Sequence, residues 1–220
     1  KPFNKICHLR IHRKRFLKKN KWFDSTGFFI RKNIILTAAH NIHSQRFSKV
    51  DAIEIQIGQY EENQLFSTIK LSGLDFCSKI TDTPNQYSLT QKWSKRILND
   101  YGIIVIPNEF IPSDFIWENE FELNNTKISQ NKMNISGYPA SSKNGFNGKK
   151  MFYEQKNIIV KTSKIYSHSF DTQGGNSGPP VWDENDSKNI IIGIHTFESS
   201  GTIIDNVAIK NITNWIEKNR

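Results

Sequence analysis

The fold of this chain is decided by the stretch Asp171-Thr172-Gln173-Gly174-Gly175-Asn176-Ser177-Gly178-Pro179-Pro180. It places a serine inside a glycine-rich turn, between two runs that we predict to be strands. Glycines let the backbone turn its amide groups toward one point, so such a turn can offer N–H donors to a charged oxygen. A serine in a turn of this kind is most often only a turn residue, so its interpretation depends on the rest of the chain.

Two other segments complete a pattern. Leu36-Thr37-Ala38-Ala39-His40 ends in a histidine after an apolar run, and Asn99-Asp100-Tyr101-Gly102-Ile103-Ile104-Val105 carries an aspartate before a predicted strand. Each segment alone has an ordinary interpretation, as a half-buried histidine or as a residue at the entry to a strand. Together with Ser177 they give the chain order His, Asp, Ser, which is one of the orders in which Ser-His-Asp triads occur.

The chemistry of such a triad predicts a role for each residue. The Ser177 hydroxyl is a poor nucleophile at neutral pH, so a base must take its proton during the attack. His40 is the candidate base, and Asp100 is the candidate that orients the imidazole and stabilises its protonated form. The backbone N–H groups of Gly175 and Ser177 are the candidate oxyanion hole.

At these residues the chain resembles the trypsin-like serine peptidases of the chymotrypsin fold, and it is most similar to the bacterial glutamyl endopeptidases. The resemblance implies an all-β fold of two six-stranded antiparallel β-barrels with a C-terminal α-helix. We expect residues 1–112 to form the barrel that carries His40 and Asp100. Residues 113–220 are then expected to form the barrel that carries Ser177 and the specificity pocket, ending in the helix.

The same resemblance implies a specificity pocket beside the serine. In the glutamyl branch, a histidine in a Gly-Ile-His strand and a threonine before the serine contact the acidic side chain of the substrate. His195, in Gly193-Ile194-His195-Thr196, and Thr172 match these positions. Imidazole and hydroxyl groups can both donate hydrogen bonds to a carboxylate. Thr196 matches a hydroxyl residue that supports the triad aspartate.

Some residues depart from the family pattern or remain without a role. Asp171 lies near the position of an acidic pocket residue in trypsin-like chains, but many glutamyl endopeptidases also carry an aspartate there, so we do not interpret it as a Lys/Arg pocket. Glu198 stands where a glycine-rich segment is expected, which weakens the prediction of an acidic substrate. Pro179 replaces the usual serine after Ser-Gly. We find no partner in the sequence for four histidines, which we expect to be surface or structural residues: His8, His12, His43 and His168.

Short apolar or alternating runs predict the strands. We predict strands over residues 6–10, 22–30, 33–36, 52–57, 102–106, 133–138, 158–166, 180–182, 190–195 and 207–209. A Pro-marked crossing between the barrels is predicted over residues 107–122, and a C-terminal helix over residues 211–218, with Ile212, Trp215 and Ile216 on one face.

Composition and charge set further limits. Hydrophobic residues make up 36% of the 220, with 15 Phe, 5 Trp and 6 Tyr, which is sufficient for a sizeable core, and no apolar run is long enough to span a membrane. The formal net charge of +9 originates in residues 1–23, which hold nine Lys and Arg and no acidic residue. We interpret this basic segment as a solvated hairpin, which could help to attract acidic substrates. Cys7 and Cys77 allow at most one disulfide, which the sequence leaves open.

We therefore predict a serine endopeptidase that acts on protein or peptide substrates, with a preference for Glu or Asp on the acyl side of the cut. No sequence motif indicates a metal or an organic cofactor. We expect a secreted monomer with no membrane partner and no nucleic-acid partner. Two alternatives remain open: a catalytically weak binding protein that uses the basic segment, and a serine peptidase that prefers apolar or small residues.

Overall fold

The computed structural model describes residues 2–15, 19–45, 48–58, 66–115, 121–123, 132–140, 147–172, 174–185 and 188–219. Within these residues the chain forms two seven-stranded sheets followed by a C-terminal helix. The predicted all-β class with a terminal helix is confirmed. No helix among the described residues is both long enough and apolar enough to cross a membrane.

The first sheet comes from the N-terminal half of the chain, and all its neighbouring strands are antiparallel in the order β5-β4-β1-β2-β3-β7-β6. β1 and β2 form the predicted hairpin, whose register places Ile6 opposite Phe28. Residues 16–18 of the predicted turn lie outside the described residues. The strands are β1 (Ile6–Arg15), β2 (Lys21–Arg31), β3 (Ile34–Thr37), β4 (Ser48–Ile57), β5 (Ile69–Ser72), β6 (Thr81–Asp82) and β7 (Gly102–Val105).

The alternation of residues in β4 shows how this sheet acquires its inner face. Ile53, Ile55 and Ile57 are fully buried, whereas the residues between them are only partly buried. Successive side chains of a strand point to opposite faces of the sheet, so the isoleucines enter the core while the polar residues between them lie on the other face. The sequence pattern predicted this half-buried strand.

The second sheet contains the glycine-rich turn, which leads into its strand β12. Its order is β12-β9-β10-β11-β14-β13-β8. The strands are β8 (Phe121–Leu123), β9 (Lys132–Gly137), β10 (Phe152–Val160), β11 (Ile165–His168), β12 (Pro180–Asn185), β13 (Lys188–Phe197) and β14 (Ser200–Ile203).

The two sheets differ in closure, although the sequence predicted two equivalent barrels. In the second sheet, β12 pairs with β13 as well as β9, so six strands form a closed ring, and β8 joins outside it, parallel to β13. In the first sheet, no pairing among the described residues joins the edge strands β5 and β6. The helix α2 (Leu74–Ile80) connects these two strands and packs against β4, β5, β6 and β7, so it fills the opening that another pairing would close.

Two predicted strands are wrong in detail. The run predicted over residues 158–166 is divided between β10 and β11, because residues 161–164 form a turn in which the Lys161 and Thr162 N–H groups donate to the Ile165 carbonyl. Residues 207–209 belong to the helix α4 (Asn206–Lys218) and not to a strand. Asp205 caps this helix by accepting the Ala208 N–H, so the helix begins five residues before the predicted start.

A hydrophobic core joins the two sheets. Phe121 lies between Phe28 of the first sheet and Trp182 of the second, with ring centroids 5.3 and 5.6 Å apart in edge-to-face contacts. Ile212 and Ile216 of α4 belong to the same buried cluster. The packing of the two sheets therefore depends on aromatic side chains and on the terminal helix. The boundary at 112/113 between two domains stays a prediction.

The two cysteines are buried free thiols, so the disulfide that the sequence left open is not formed. Burial raises the pKa of the Cys7 thiol far above its ordinary value and raises that of Cys77 to about 11. A thiol reacts as its thiolate, so both groups are expected to be inert at neutral pH.

The cap of α4 gives a test of the fold. Asp205 Oδ1 accepts the Ala208 N–H at 2.9 Å, and Oδ2 lies 2.9 Å from Lys164 Nζ. We expect Asp205→Ala to lower the free energy of unfolding in urea by about 1 kcal/mol. Asp205→Asn retains a capping oxygen and should lose less, while Lys210→Gln, an exposed change within the helix, should stay within about 0.5 kcal/mol of wild type. Equal stability of all three variants would contradict the capping role.

Candidate active site

His40 lies on a short helix, α1 (Ala39–Ile42), which directly follows the buried strand β3. Its backbone N–H donates to Asp100 Oδ1 at 2.9 Å, and its ring Nδ1 lies 2.8 Å from Asp100 Oδ2. One carboxylate therefore fixes both the main chain and the ring of His40. A carboxylate at Nδ1 keeps the ring proton there and leaves Nε2 as an acceptor, which is the tautomer that a general base requires.

Asp100 is fully buried, and it follows a 3-10 helix over Ile97–Asn99. A buried charge is tolerated when it is paired and hydrogen-bonded, and each oxygen of Asp100 accepts a hydrogen bond from His40. Burial, followed by the neighbouring Asp100 carboxylate, raises the pKa of the Tyr87 phenol well above its ordinary value. The Tyr87 side chain therefore stays neutral beside the carboxylate.

Arg13 holds the backbone of the segment that carries His40. Its guanidinium donates to the carbonyl oxygens of His40, Asn41 and His43 at 2.8, 2.8 and 2.9 Å. Burial lowers the pKa of Arg13 to about 10, so the group stays charged at neutral pH. A cation at the carboxyl end of a helix satisfies carbonyl groups that have no partner within the helix. Arg13 thus holds the short helix that carries His40.

The backbone of Ser177 is fixed by both sheets. Its carbonyl accepts the Thr26 N–H from β2 at 2.9 Å and the Asn41 amide at 3.1 Å. The next residue, Gly178, donates its N–H to the His195 carbonyl on β13 at 2.8 Å. Gly178 has φ +103°, and an added Cβ would lie 2.1 Å from the Thr26 carbonyl oxygen, so a side chain here would push the sheets apart.

The Ser177 hydroxyl donates to the Thr196 carbonyl at 3.4 Å, and it makes no hydrogen bond with His40 in the described part of the chain. His40 and Ser177 nevertheless line the same cleft. Hydrogen bonds between catalytic groups are often long in a ligand-free enzyme and tighten when substrate binds. The structure therefore brings the three predicted triad residues together, with the His–Asp contact formed and the Ser–His contact open.

The glycine-rich turn also presents the predicted oxyanion donors. The Gly174 carbonyl accepts the Ala140 N–H at 2.6 Å. Because C=O and N–H point in opposite directions across a trans peptide, the Gly175 N–H is directed away from Ala140. Among the described residues, neither this N–H nor that of Ser177 makes a backbone hydrogen bond. Gly175 has φ +83°, and a Cβ there would lie 2.7 Å from the Ala140 nitrogen.

The predicted pocket residue His195 is buried and has a partner that the sequence did not indicate. Its Nδ1 lies 2.9 Å from His168 Nε2, and the Phe170 N–H donates to His168 Nδ1 at 3.2 Å. His168 Nδ1 is therefore an acceptor, and His168 Nε2 carries the proton that is donated to His195 Nδ1. A neutral His195 then carries its own proton on Nε2. Burial, above all, lowers the pKa of His195 well below its ordinary value and lowers that of His168 to about 4.

The two predicted threonines are bonded differently from the expectation. The Thr172 hydroxyl donates to the Glu198 carbonyl at 2.5 Å, which joins the serine turn to the hairpin between β13 and β14. The Thr196 hydroxyl is buried and has no hydrogen-bond partner among the described residues. In the described part of the chain it makes no hydrogen bond with Asp100, contrary to the role that the resemblance implied, and the Thr196 carbonyl accepts the Ser177 hydroxyl instead. The Glu198 side chain is exposed to solvent.

Sequence reasoning missed several residues that hold the site together. Thr26, Asn41 and Arg13 bond the segments around His40 and Ser177, and none of them belongs to a recognisable motif. His168 was left without a role, but it lies two residues after the buried Tyr166 on β11, so strand alternation could have indicated that it points inward. The other three histidines are also bonded: His8 to Gln56 and Asp24, His12 to Asp51, and His43 to Thr83.

The His168–His195 pair predicts how stability depends on pH. His168 is neutral in the folded protein above about pH 4, whereas in the unfolded chain it takes up a proton near its ordinary pKa of 6.5. The unfolded state thus binds more protons between these values, so stability should fall as pH decreases from 6.5 to 4. Urea titrations at several pH values should show that the free energy of unfolding depends less steeply on pH in His168→Gln than in the wild type. The difference in slope should be at most about 1.4 kcal/mol per pH unit. An unchanged slope would contradict the buried neutral state.

Known proteins resemble this chain in sequence and in fold. An extracellular metalloprotease of Bacillus subtilis (strain 168) is 25% identical over 222 residues, which cover 97% of this chain; the chain spans 64% of the length of that relative. A Glu endopeptidase solved in complex with MPD superposes with a TM-score of 0.71 at 18% identity, covering 97% of this chain and 90% of that one. A thermostable serine protease from an extremophilic microorganism superposes with a TM-score of 0.70 at 12% identity, covering 99% of both chains.

At these identities the two structures establish the likeness of the fold. The family is established by the trypsin family model, which matches residues 11–216, a range that includes His40, Asp100 and Ser177. The chain has a trypsin-like serine protease fold, and it belongs to the trypsin family.

Proposed function

We propose that this chain is a serine endopeptidase that cleaves peptide bonds through an acyl-enzyme on Ser177. The observation that carries the proposal is the double hydrogen bond from His40 to the buried Asp100, in the cleft that also contains Ser177. Membership of the trypsin family supports it. The bonds that fix the main chain on both sides of Ser177 supply the rigid support that a nucleophile needs.

The reaction has two acyl-transfer steps. Ser177 Oγ attacks the carbonyl carbon of the scissile bond while His40 Nε2 takes the hydroxyl proton. The bond from Oγ to the carbon forms, the C–N bond breaks, and His40 gives its proton to the leaving amine. Water then attacks the ester and gives a proton to His40, after which the product acid leaves and Ser177 regains its proton. The Ser177 hydroxyl must first turn from the Thr196 carbonyl toward His40.

The negative charge that develops on the carbonyl oxygen needs fixed donors. The N–H groups of Gly175 and Ser177 fit this role, because the bond between the Gly174 carbonyl and Ala140 directs the first of them. Losing one donor of this kind typically raises the barrier by about 3 kcal/mol. The positive φ of Gly175 explains why a residue with a side chain is unsuited to this position.

We also propose that the residue on the acyl side of the cut is Glu or Asp. The hydrogen bonds from Phe170 to His168 and from His168 to His195 leave the proton of a neutral His195 on Nε2. The Ser200 backbone already accepts a hydrogen bond from His195, so a substrate carboxylate would replace that carbonyl as the acceptor of the proton. Thr172 offers a hydroxyl once its bond to the Glu198 carbonyl opens. The exposed side chain of Glu198 can remain in solvent, and the fold is similar to that of a Glu endopeptidase.

The first experiment digests a diverse peptide mixture and identifies the cuts by mass spectrometry. We expect cuts by the wild type that disappear in Ser177→Ala. Asp100→Asn should lower kcat by about 10⁴-fold, because the amide would hold the imidazole in the wrong tautomer. Circular dichroism of each variant checks that the fold persists. Cleavage by Ser177→Ala at the wild-type rate would contradict the proposed mechanism.

The pocket is tested with two peptides that differ only in Glu or Gln on the acyl side of the cut. Hydrogen bonds to a charged group contribute about 1.5–3 kcal/mol, so kcat/KM should favour Glu by about 10- to 100-fold. The double variant His168→Leu/His195→Leu removes both rings together, so that neither histidine is left buried without its partner. It should lose most of this preference for Glu. His12→Gln, on the first sheet, should keep it. A ratio near one in the wild type would discard the pocket while leaving the triad in place.

A further inference from the structure

A cleft of about 600 Å³ extends from His40 and Ser177 over the first sheet. Its walls include residues of β1, β2 and the segment before Asp100, and three of them are arginines: Arg13, Arg15 and Arg96. Arg13 holds the helix of His40 through backbone carbonyl groups, but neither the triad nor the proposed acyl-side pocket uses Arg15 or Arg96. The cleft therefore has a charge that the catalytic chemistry does not explain.

None of these three guanidinium groups has a carboxylate partner among the described residues, and Arg96 donates to the Leu89 carbonyl. Arg13 donates to three carbonyl groups around His40. Arg15 lies above the Phe23 ring, with its Cζ 4.8 Å from the ring centroid, and its backbone N–H donates to Asn20. The positive charge of Arg15 contributes to lowering the pKa of Arg13, after the larger effect of burial. Neighbouring cations of this kind are stabilised when an anion enters the cleft.

The acidic residue of the same wall is already compensated. Asp24 lies 2.9 Å from His8 Nε2 and 4.0 Å from Arg10 Nε, although Arg10 pairs more closely with Glu54 Oε2, at 2.6 Å. The hydrogen bond with His8, above all, lowers the pKa of Asp24, so the carboxylate stays ionised and paired. Lys21, which is exposed, adds another cation 5.5 Å from the Phe23 ring centroid. The wall formed by β1 and β2 thus retains an excess of positive charge.

The position of this wall decides which part of a substrate meets it. The acyl-side residue would enter the second sheet beside Thr172 and His195. β2 approaches Ser177 from the first sheet, where the Thr26 N–H bonds the Ser177 carbonyl. A substrate chain that continues from Ser177 along β2 would pass Phe23, Asp24 and Ser25 and reach Arg15, since all of these residues line the same cleft.

We propose that the wall formed by Arg13, Arg15 and Phe23 is a binding site for acidic side chains on the leaving-group side of the scissile bond. Arg15 pairs with the incoming carboxylate, the Phe23 ring supports the guanidinium, and Arg13 adds its charge from below. The site selects substrates in which acidic residues follow the cut. It rests on the proposed endopeptidase function, but it is independent of the preference at the acyl-side pocket.

The test uses peptides with one shared acyl half and with Glu-Glu, Gln-Gln or Lys-Lys after the cut. Exposed ion pairs contribute up to about 1 kcal/mol each, so the wild type should show kcat/KM values about 3- to 10-fold higher for Glu-Glu than for Gln-Gln at about 0.05 M salt. The ratio should shrink at about 0.5 M salt, where the Debye length is only a few ångströms. Arg15→Gln should lower the ratio, and Arg15→Glu should make Lys-Lys the better substrate.

Arg31→Gln is the matched control, because it removes the same charge from the far end of the neighbouring strand β2; it should keep the wild-type ratio. Cleavage of all three peptides at equal rates would overturn the leaving-group site while leaving the endopeptidase intact. No cleavage of any peptide by a folded wild type would overturn the endopeptidase and this site with it. A third outcome is that the three peptides are cleaved at equal rates while a single-stranded oligonucleotide binds in a salt-dependent way. If Arg15→Gln weakens that binding, the ligand of this wall is nucleic acid and not a peptide.

Discussion

The hydrogen bonds to the Ser177 carbonyl are the constraint on which the rest of the site depends. They connect the turn before β12 to Thr26 on β2 and to Asn41 on α1, while Gly178 connects the same turn to His195 on β13. A nucleophile carried by one sheet and a base carried by the other can cooperate only if the two sheets keep a fixed distance. The hydrogen bonds across this junction provide that precision, because their geometry is directional.

The buried charges around His40 form a second layer of organisation. Asp100 is paired through the ring and backbone of His40, and Arg13 is bonded to the carbonyl groups of the helix that carries His40. Each group would be costly to bury alone, and each becomes tolerable because α1 supplies its partners. The buried neutral histidines His168 and His195 are also paired. His168 Nδ1 accepts the Phe170 N–H, and His168 Nε2 donates to His195 Nδ1.

The sequence predicted the parts of the site that short motifs encode. His40, Asp100 and Ser177 each lie in a segment whose local chemistry is recognisable. Gly175 has a positive φ, a conformation that residues with a side chain adopt only with strain. The supporting residues could not be found in this way. Arg13 and His168 act on groups that are distant in the chain, and their neighbours in sequence give no indication of those contacts. The closure of one sheet and the filling of the other by α2 likewise depend on pairings between remote strands.

The sequence by itself determined the all-β class, the long hairpin of β1 and β2, the terminal helix, and the identity and order of the three candidate catalytic residues, because strand alternation, turn chemistry and motif order are local properties. The tertiary structure alone decided that the Thr196 hydroxyl makes no hydrogen bond with Asp100 among the described residues, that His168 orients His195, and that Arg13 and Arg15 line one cleft with Ser177. These outcomes depend on which side chains packing brings within hydrogen-bonding distance, and packing is a property of the whole chain.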